Sequence, residues 1–209
     1  ATPGARLEVA WQVKITGGGI WSWKVLTSDA TGLATWTTAP SPCIPAGTGT
    51  SNICYGASAL QLNTAGWMNT AVWVAALSSN TTASWNTAVG FNSLASNTTG
   101  WSNTANGNYA LRYNTTWSSN TANWTNALYT NATGSENTAI GVDSLTNNTF
   151  WNANTANWWR ALSFNTNWNN NTALWYLAWS SLITGNSNIF IGYNAQPNIG
   201  TGASNQLNI

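Results

Sequence analysis

Few side chains in this 209-residue sequence could carry out chemistry. Five are Lys or Arg, four are Asp or Glu, and there is no His. General acid–base catalysis needs a group poised near the working pH, and histidine is the usual one. The carboxylates Glu8, Asp29, Glu136 and Asp143 are scattered rather than paired. Serines abound, but no histidine or carboxylate pair stands ready to activate one as a nucleophile. Cys43 and Cys54 lie eleven positions apart. That spacing admits a disulfide but reads more simply as two separate thiols, and two thiols are too few to build a metal site. We therefore expect neither an enzyme nor a cofactor or metal.

Charged residues make up 4% of the chain, against about a quarter in ordinary soluble domains. A net charge of +1 argues against a polybasic nucleic-acid binder. The apolar stretch Ala71 to Leu77 is among the longest and far too short to span a membrane. The chain carries no initiator Met or signal peptide, so we expect it to be a piece of a longer protein. Asparagine is absent before residue 51 and dense after it, and the Pro/Gly-rich stretch Pro40 to Gly49 marks the change.

The elements that must position any surface follow from a repeat. From Asn52 the chain recurs with a step of 17 residues, units opening at Asn69, Asn86, Asn103, Asn120, Asn137 and Asn154. The consensus is N-T-A-[VIN]-[GW]-x-x-[AS]-L-x-x-N-x-x-[GW]-x-x. An eighth unit opens at Asn171 and then departs from the pattern. The ninth column is Leu60, Leu77, Leu94, Leu111, Leu128, Leu145 and Leu162. The twelfth column is Asn in the same seven units, from Asn63 to Asn165. A fixed short period without insertions signals a solenoid. Seventeen residues are too few for a helix–turn–helix unit, and Asn, Thr and Gly form helices poorly. Short strands such as Thr87-Ala88-Val89 between Asn and Gly turn signals predict an all-β, parallel β-solenoid, one coil per unit, with coils about 4.8 Å apart.

Stacking explains the columns. The leucines should fill the interior beside a small third column of Cys54 and then Ala71 to Ala173. The asparagines that open each unit should stack at corners as an amide ladder. Such a core is thin, and we expect three chains to associate and supply the missing burial. The chain divides into a β-strand module with its linker (1–50), the repeat solenoid (51–185) and a transition coil (186–209).

The sixteen tryptophans conflict with this order. Trp73, Trp124, Trp158 and Trp175 share the fifth column with Gly56, Gly90, Gly107 and Gly141; Trp117, Trp151 and Trp168 share the fifteenth with Gly66, Gly100 and Gly134. Glycine and tryptophan are poor substitutes at a turn, since a bulky residue with positive φ is an outlier. The glycine codon GGA and the codon UGA differ by one base, and some uncultivated bacterial lineages read UGA as glycine while other codes read tryptophan. We expect every tryptophan except Trp36 to be such a recoded glycine: Trp11, Trp21, Trp23, Trp67, Trp73, Trp85, Trp101, Trp117, Trp124, Trp151, Trp158, Trp159, Trp168, Trp175 and Trp179. In the chain as written, the rings should project outward or displace strands, above all around Trp158 and Trp159.

The unit Asn86-Thr-Ala-Val-Gly-Phe-Asn-Ser-Leu-Ala-Ser-Asn-Thr-Thr-Gly100 resembles repeats of bacterial and phage tail-fibre-like proteins and, more distantly, the heads of trimeric autotransporter adhesins. Residues 7–17 and 24–36 resemble the strand module that often precedes such repeats. Residues 185–194 and 202–208 resemble the exit toward a C-terminal intramolecular chaperone domain, which this sequence does not contain. The resemblance implies a homotrimeric, left-handed β-roll, extracellular on a cell surface or virion. It leads to a structural and adhesive fibre segment with a multivalent polar surface for a glycan or receptor. Alternatives are a carbohydrate-binding module stacking sugars on genuine tryptophans and an ice-binding solenoid using the Thr70 to Thr172 column, where a second outward Thr is missing. Asn-rich disorder fits poorly with a strict Leu every 17 residues. Arg112 and Arg160 fall in unrelated columns, ten and seven, and form no basic stripe.

Overall fold

A three-residue strand followed by a turn is all that a Thr-Ala-Val triplet bounded by Asn and Gly can make alone, so such triplets persist only by pairing with copies of themselves. The computed structural model describes residues 24–28, 34–38, 51–150, 152–164, 168–180, 185–196 and 204–209. The chain divides into two compact units, Ala1–Ser41 and Pro42–Ile209. In the first, β1 (Lys24–Ser28) and β2 (Ala34–Thr38) pair antiparallel, Leu26 opposite Trp36.

The second unit is a parallel β-solenoid. Its strands are β3 (Ile53–Tyr55), β4 (Thr70–Val72), β5 (Thr87–Val89), β6 (Thr104–Asn106), β7 (Thr121–Asn123), β8 (Thr138–Ile140), β9 (Thr155–Asn157), β10 (Thr172–Leu174), β11 (Ile189–Ile191) and β12 (Leu207–Asn208). They form one ten-stranded sheet in chain order, and no helix occurs among the described residues. The register places like on like: Thr87 beside Thr104, Ala88 beside Ala105. The departure at Asn171 does not end the winding. Thr172 still pairs with Ile189 one full step on, and only the last step, from Ile189 to Leu207, lengthens to 18 residues.

The interior holds what a narrow lap admits. The third-column alanines from Ala71 to Ala173 and the leucines from Leu77 to Leu162 are buried, with a small eighth column (Ala76, Ser93, Ala110, Ala127, Ser144, Ala161) beside them. The core widens at the C-terminal end, where Phe190 replaces the third-column alanine and Trp179 replaces the leucine, ring centroids 4.4 Å apart. Unexpectedly, every ladder leucine has left-handed backbone, φ 47 to 51° from Leu60 to Leu162. The chain turns at that column, and an i to i+3 hydrogen bond follows, as from the Asn80 amide to the Leu77 carbonyl at 3.1 Å.

Both asparagine columns also point inward, not outward at corners. Asn69, Asn86, Asn103, Asn120, Asn137 and Asn154 are fully buried, as are Asn80, Asn97, Asn114, Asn131 and Asn148. The twelfth column is a continuous amide ladder: Asn80 Nδ2 donates to Asn63 Oδ1 (2.7 Å), Asn97 to Asn80 (3.1 Å), Asn114 to Asn97 (3.0 Å), Asn131 to Asn114 (3.0 Å) and Asn148 to Asn131 (2.9 Å). The expected ladder of opening asparagines forms over part of their column, Asn137 Nδ2 to Asn120 Oδ1, Asn154 to Asn137 and Asn188 to Asn171 at 3.2 Å each. The first column works mainly through the backbone. Its Oδ1 accepts the N–H of its counterpart in the next coil, Asn86 N to Asn69 Oδ1 at 2.9 Å, while its Nδ2 closes its own lap by reaching the fifteenth-column carbonyl, Asn86 to Gly100 O at 2.9 Å. Asn97 Nδ2 reaches the same Gly100 carbonyl at 2.9 Å. Two amide donors meet one carbonyl in each of the five laps that open at Asn52 to Asn120, which satisfies those buried amides within the core. Toward the C-terminal end Asn171 Nδ2 is buried without a partner. A third ladder, which the sequence did not signal, runs along the sixteenth column: Trp101 N to Ser118 Oγ (3.0 Å), Ser135 N to Asn152 Oδ1 (2.7 Å), Asn152 N to Asn169 Oδ1 (2.8 Å) and Asn169 N to Asn186 Oδ1 (2.9 Å).

The thiols are not separate. Cys54 is disulfide-bonded, and the one other cysteine of the chain is Cys43, which lies outside the described residues. Cys54 occupies the alanine column of the first coil, beside Ala71. Asn114→Leu keeps the branched shape but removes both the donor to Asn97 Oδ1 and the acceptor of Asn131 Nδ2. It should cost about 1–3 kcal/mol in denaturant unfolding, the penalty for orphaning a buried polar group. Cys54→Ala, which supplies the residue that fills the column elsewhere, should cost about 2–4 kcal/mol through the lost cross-link alone. Reduction of the unaltered protein should match it in a thermal melt.

Candidate functional site

Positions inside the lap are fixed by stacking, so chemistry must sit on outward columns. On the sheet, the second column presents Thr70, Thr87, Thr104, Thr121, Thr138, Thr155 and Thr172 in register. The fourth is mixed: Val72, Val89, Asn106, Asn123, Ile140, Asn157 and Leu174. Among the described residues no three His, Cys, Asp or Glu side chains gather closely enough to hold a metal ion, and no helix is long and apolar enough to cross a membrane.

Away from the sheet, the middle coils carry an aromatic cluster around one guanidinium. Phe91 meets Tyr109 edge to face at 5.3 Å between centroids, Tyr109 meets Tyr129 at 6.3 Å, and Tyr113 meets Tyr129 at 5.1 Å. Arg112 lies 4.9 Å from the Tyr109 ring centre and 5.3 Å from that of Tyr113, close enough for cation–π attraction. Among the described residues no carboxylate pairs with Arg112. Phe91 and Tyr113 are exposed, while Tyr109, Arg112 and Tyr129 are half-buried between them. A hydrogen bond with Tyr113 raises the Tyr129 phenol above its ordinary pKa of 10.0; burial adds to this and the Arg112 charge opposes it. Arg112 and Tyr129 are both tenth-column residues of consecutive coils. That shared column was the available signal, and weighing the arginines only against each other missed it.

Arg160 is arranged differently. Its Nε lies 3.6 Å from Asp143 Oδ2, and its guanidinium sits 4.5 Å from the Trp159 ring centre. Asp143 and Arg160 are consecutive seventh-column residues, an exposed pair worth at most about 1 kcal/mol. Beyond them Trp159, Tyr176 and Tyr193 stack at 4.8 and 5.4 Å. A shallow apolar cleft of about 480 Å³ is lined by Trp124, Ile140, Gly141, Val142, Asn157, Trp158 and Trp159.

The remaining tryptophans divide by column. The rings of Trp73, Trp124, Trp158 and Trp175 project into solvent, as expected. The strands beside Trp158 and Trp159 are not displaced, however: Ile140, Asn157 and Leu174 keep unbroken register. Trp117 is exposed, and its carbonyl takes the two asparagine donors, Asn103 at 2.8 Å and Asn114 at 2.9 Å. Trp168 is half-buried, and Trp151 lies outside the described residues.

Tyr113→Phe removes the partner that holds the Tyr129 proton. The Tyr129 phenol should then ionise at lower pH, read from its ring carbon shifts in an NMR titration. Comparison of the chain with protein-family models, with curated proteins and with solved structures finds no match.

Proposed function

We propose that this chain is a structural and adhesive segment of an extracellular fibre, carried on a cell surface or a virion. The observation that carries the reading is the unbroken ten-strand stack, in which each coil repeats the outward columns of the last. Such a stack is a stiff spacer and a multivalent display at once. The cross-linked Cys54 supports the placement, because disulfides persist in oxidising compartments.

The fibre is homotrimeric on this reading. One lap holds little more than alanine, leucine and two asparagines, and the sheet's outer columns leave Ile53, Tyr55, Ile140, Ile189, Ile191 and Leu207 exposed. A second and a third copy would cover that apolar surface and give avidity to weak single sites. Sedimentation of the intact chain should yield a trimer mass; a monomer at micromolar concentration would remove the trimer.

The ligand class is a surface glycan bearing a carboxylate. The Arg112 guanidinium, unpaired with any carboxylate among the described residues, offers a charged donor. The rings of Tyr109, Tyr113 and Tyr129 offer faces for the sugar's C–H bonds. A uronic-acid trisaccharide immobilised at high density should retain the protein. Arg112→Ala should weaken retention about tenfold, the cost of one charge-assisted contact. Equal binding to the methyl-esterified sugar would overturn the assignment. The stacked Trp159, Tyr176 and Tyr193 favour a second reading, a sugar-stacking carbohydrate-binding module; Tyr176→Ala with Tyr193→Ala would abolish retention there while Arg112→Ala would not.

A further inference from the structure

The corner at the fifth column is built for a residue without a side chain. Its glycines have φ of 131° (Gly56), 138° (Gly90), 143° (Gly107), 150° (Gly141) and 129° (Gly192). These values lie beyond the left-handed well that asparagine or leucine can enter. Space is lacking as well. A Cβ placed on Gly56 would lie 2.5 Å from the Trp73 carbonyl carbon, one on Gly90 2.5 Å from the Gly107 carbonyl oxygen, and one on Gly141 2.5 Å from the Trp158 carbonyl oxygen. The obstacle each time is the backbone of the next coil, which the stacked sheet holds in place.

Where tryptophan occupies this column the corner gives way. Its φ falls to 95° at Trp73, 97° at Trp124, 95° at Trp158 and 119° at Trp175. The N–H to carbonyl contact with the preceding coil is squeezed to 2.6 Å at Trp73, Trp124 and Trp158, against 2.8 to 3.1 Å at Gly90, Gly107, Gly141 and Gly192; at Trp175, whose φ stays closest to the glycine values, it remains 3.0 Å. The squeezed contacts are below the usual range for an amide hydrogen bond. Trp85 and Trp179 show no such conflict. Trp85 (φ 59°) shares its column with Met68, Ser102 and Glu136 at φ 53 to 60°, and Trp179 (φ 49°) adopts the conformation of the leucines it replaces. The fifteenth column is as crowded, a Cβ on Gly66 colliding with the Ala83 carbonyl oxygen and one on Gly100 with that of Trp117, but Gly66, Gly100 and Gly134 lack the positive φ of the fifth column, and Ala83 and Trp117 carry a Cβ there.

We propose that Trp73, Trp124, Trp158 and Trp175 stand where the natural protein carries glycine, their codons being UGA read as glycine by the source organism. Of the expected fifteen, the geometry speaks for these four; it makes no demand at Trp85 and Trp179, and Trp11, Trp21, Trp23 and Trp151 lie outside the described residues. The natural corner is then bare backbone. The apolar cleft lined by Trp124 and Trp158, and the pairing of Trp158 with Trp175 at 5.5 Å, disappear with the rings. The Arg112 cluster contains none of the four residues and is unaffected.

Two substituted chains separate backbone relief from loss of bulk. One carries Trp73→Gly, Trp124→Gly, Trp158→Gly and Trp175→Gly; the other carries alanine at the same positions. Glycine ordinarily destabilises by enlarging the entropy of the unfolded chain. A rise in melting temperature with glycine, larger than with alanine, is the expected result. Alanine matching or exceeding glycine would overturn the proposal, because alanine keeps the Cβ that meets the next coil. Should the chain as written fail to fold, peptide mass spectrometry of the protein from its own organism decides. Glycine at all four positions with UGA codons in the gene supports the proposal; tryptophan at any of them, or a UGG codon, overturns it.

Discussion

The structure depends on one carbonyl in each of the five laps that open at Asn52 to Asn120. The fifteenth-column oxygen receives the side-chain amide of the asparagine that opens the lap and that of the asparagine three residues before it, as at Gly66, where Asn52 donates at 2.8 Å and Asn63 at 2.9 Å. The first bond joins the two ends of the lap and so fixes its length. The opening asparagine then accepts the backbone N–H of the next lap, which fixes the stacking. A lap one residue longer would have to break one of these bonds in a dry interior, where an unpaired amide is costly. The single 18-residue step falls at the last coil, where Gln206 takes the asparagine's place and its N–H still reaches Asn188 Oδ1 at 2.8 Å.

Stacking also accounts for the composition. A residue in a solenoid column has its own kind about 4.8 Å above and below. Asparagine can donate and accept along such a column, and leucine and alanine pack on themselves, but a repeated charge would repel itself at every step. The scarcity of charge is therefore a consequence of the architecture. The one described place where charges do stack is the seventh column, and there Asp143 is followed by the opposite charge of Arg160, with Asn126 Nδ2 donating to Asp143 at 3.0 Å.

Outward columns are released from that constraint and are where the coils become individual. Phe91, Tyr109, Arg112, Tyr113 and Tyr129 fall on four weakly specified positions of the consensus, Arg112 and Tyr129 sharing the tenth. Winding brings them to one patch, although they span almost forty residues of chain. The fifth column is outward too, yet it is not free, because its backbone approaches the next coil too closely for a Cβ. The positions of the aromatic cluster can vary with little effect on the stack, whereas a fifth-column side chain must fit against the backbone of the next coil.

The sequence alone settled the class of fold, the register and the apolar inward columns, because a rigid 17-residue period forces equivalent residues to stack whatever their conformation. The leucine ladder and the alanine column were legible from that period. Conformation within the lap was decided only by the tertiary structure: that both asparagine columns turn inward, that the leucines sit at φ near 50°, and that serines and asparagines of the sixteenth column accept the previous coil's N–H. Those features arise from where each backbone group finds a partner in the neighbouring lap, and period carries no information about direction. The aromatic and arginine cluster was hidden for a related reason. Its members share a neighbourhood through different columns of adjacent coils, a contact that exists only once the path around the lap is known.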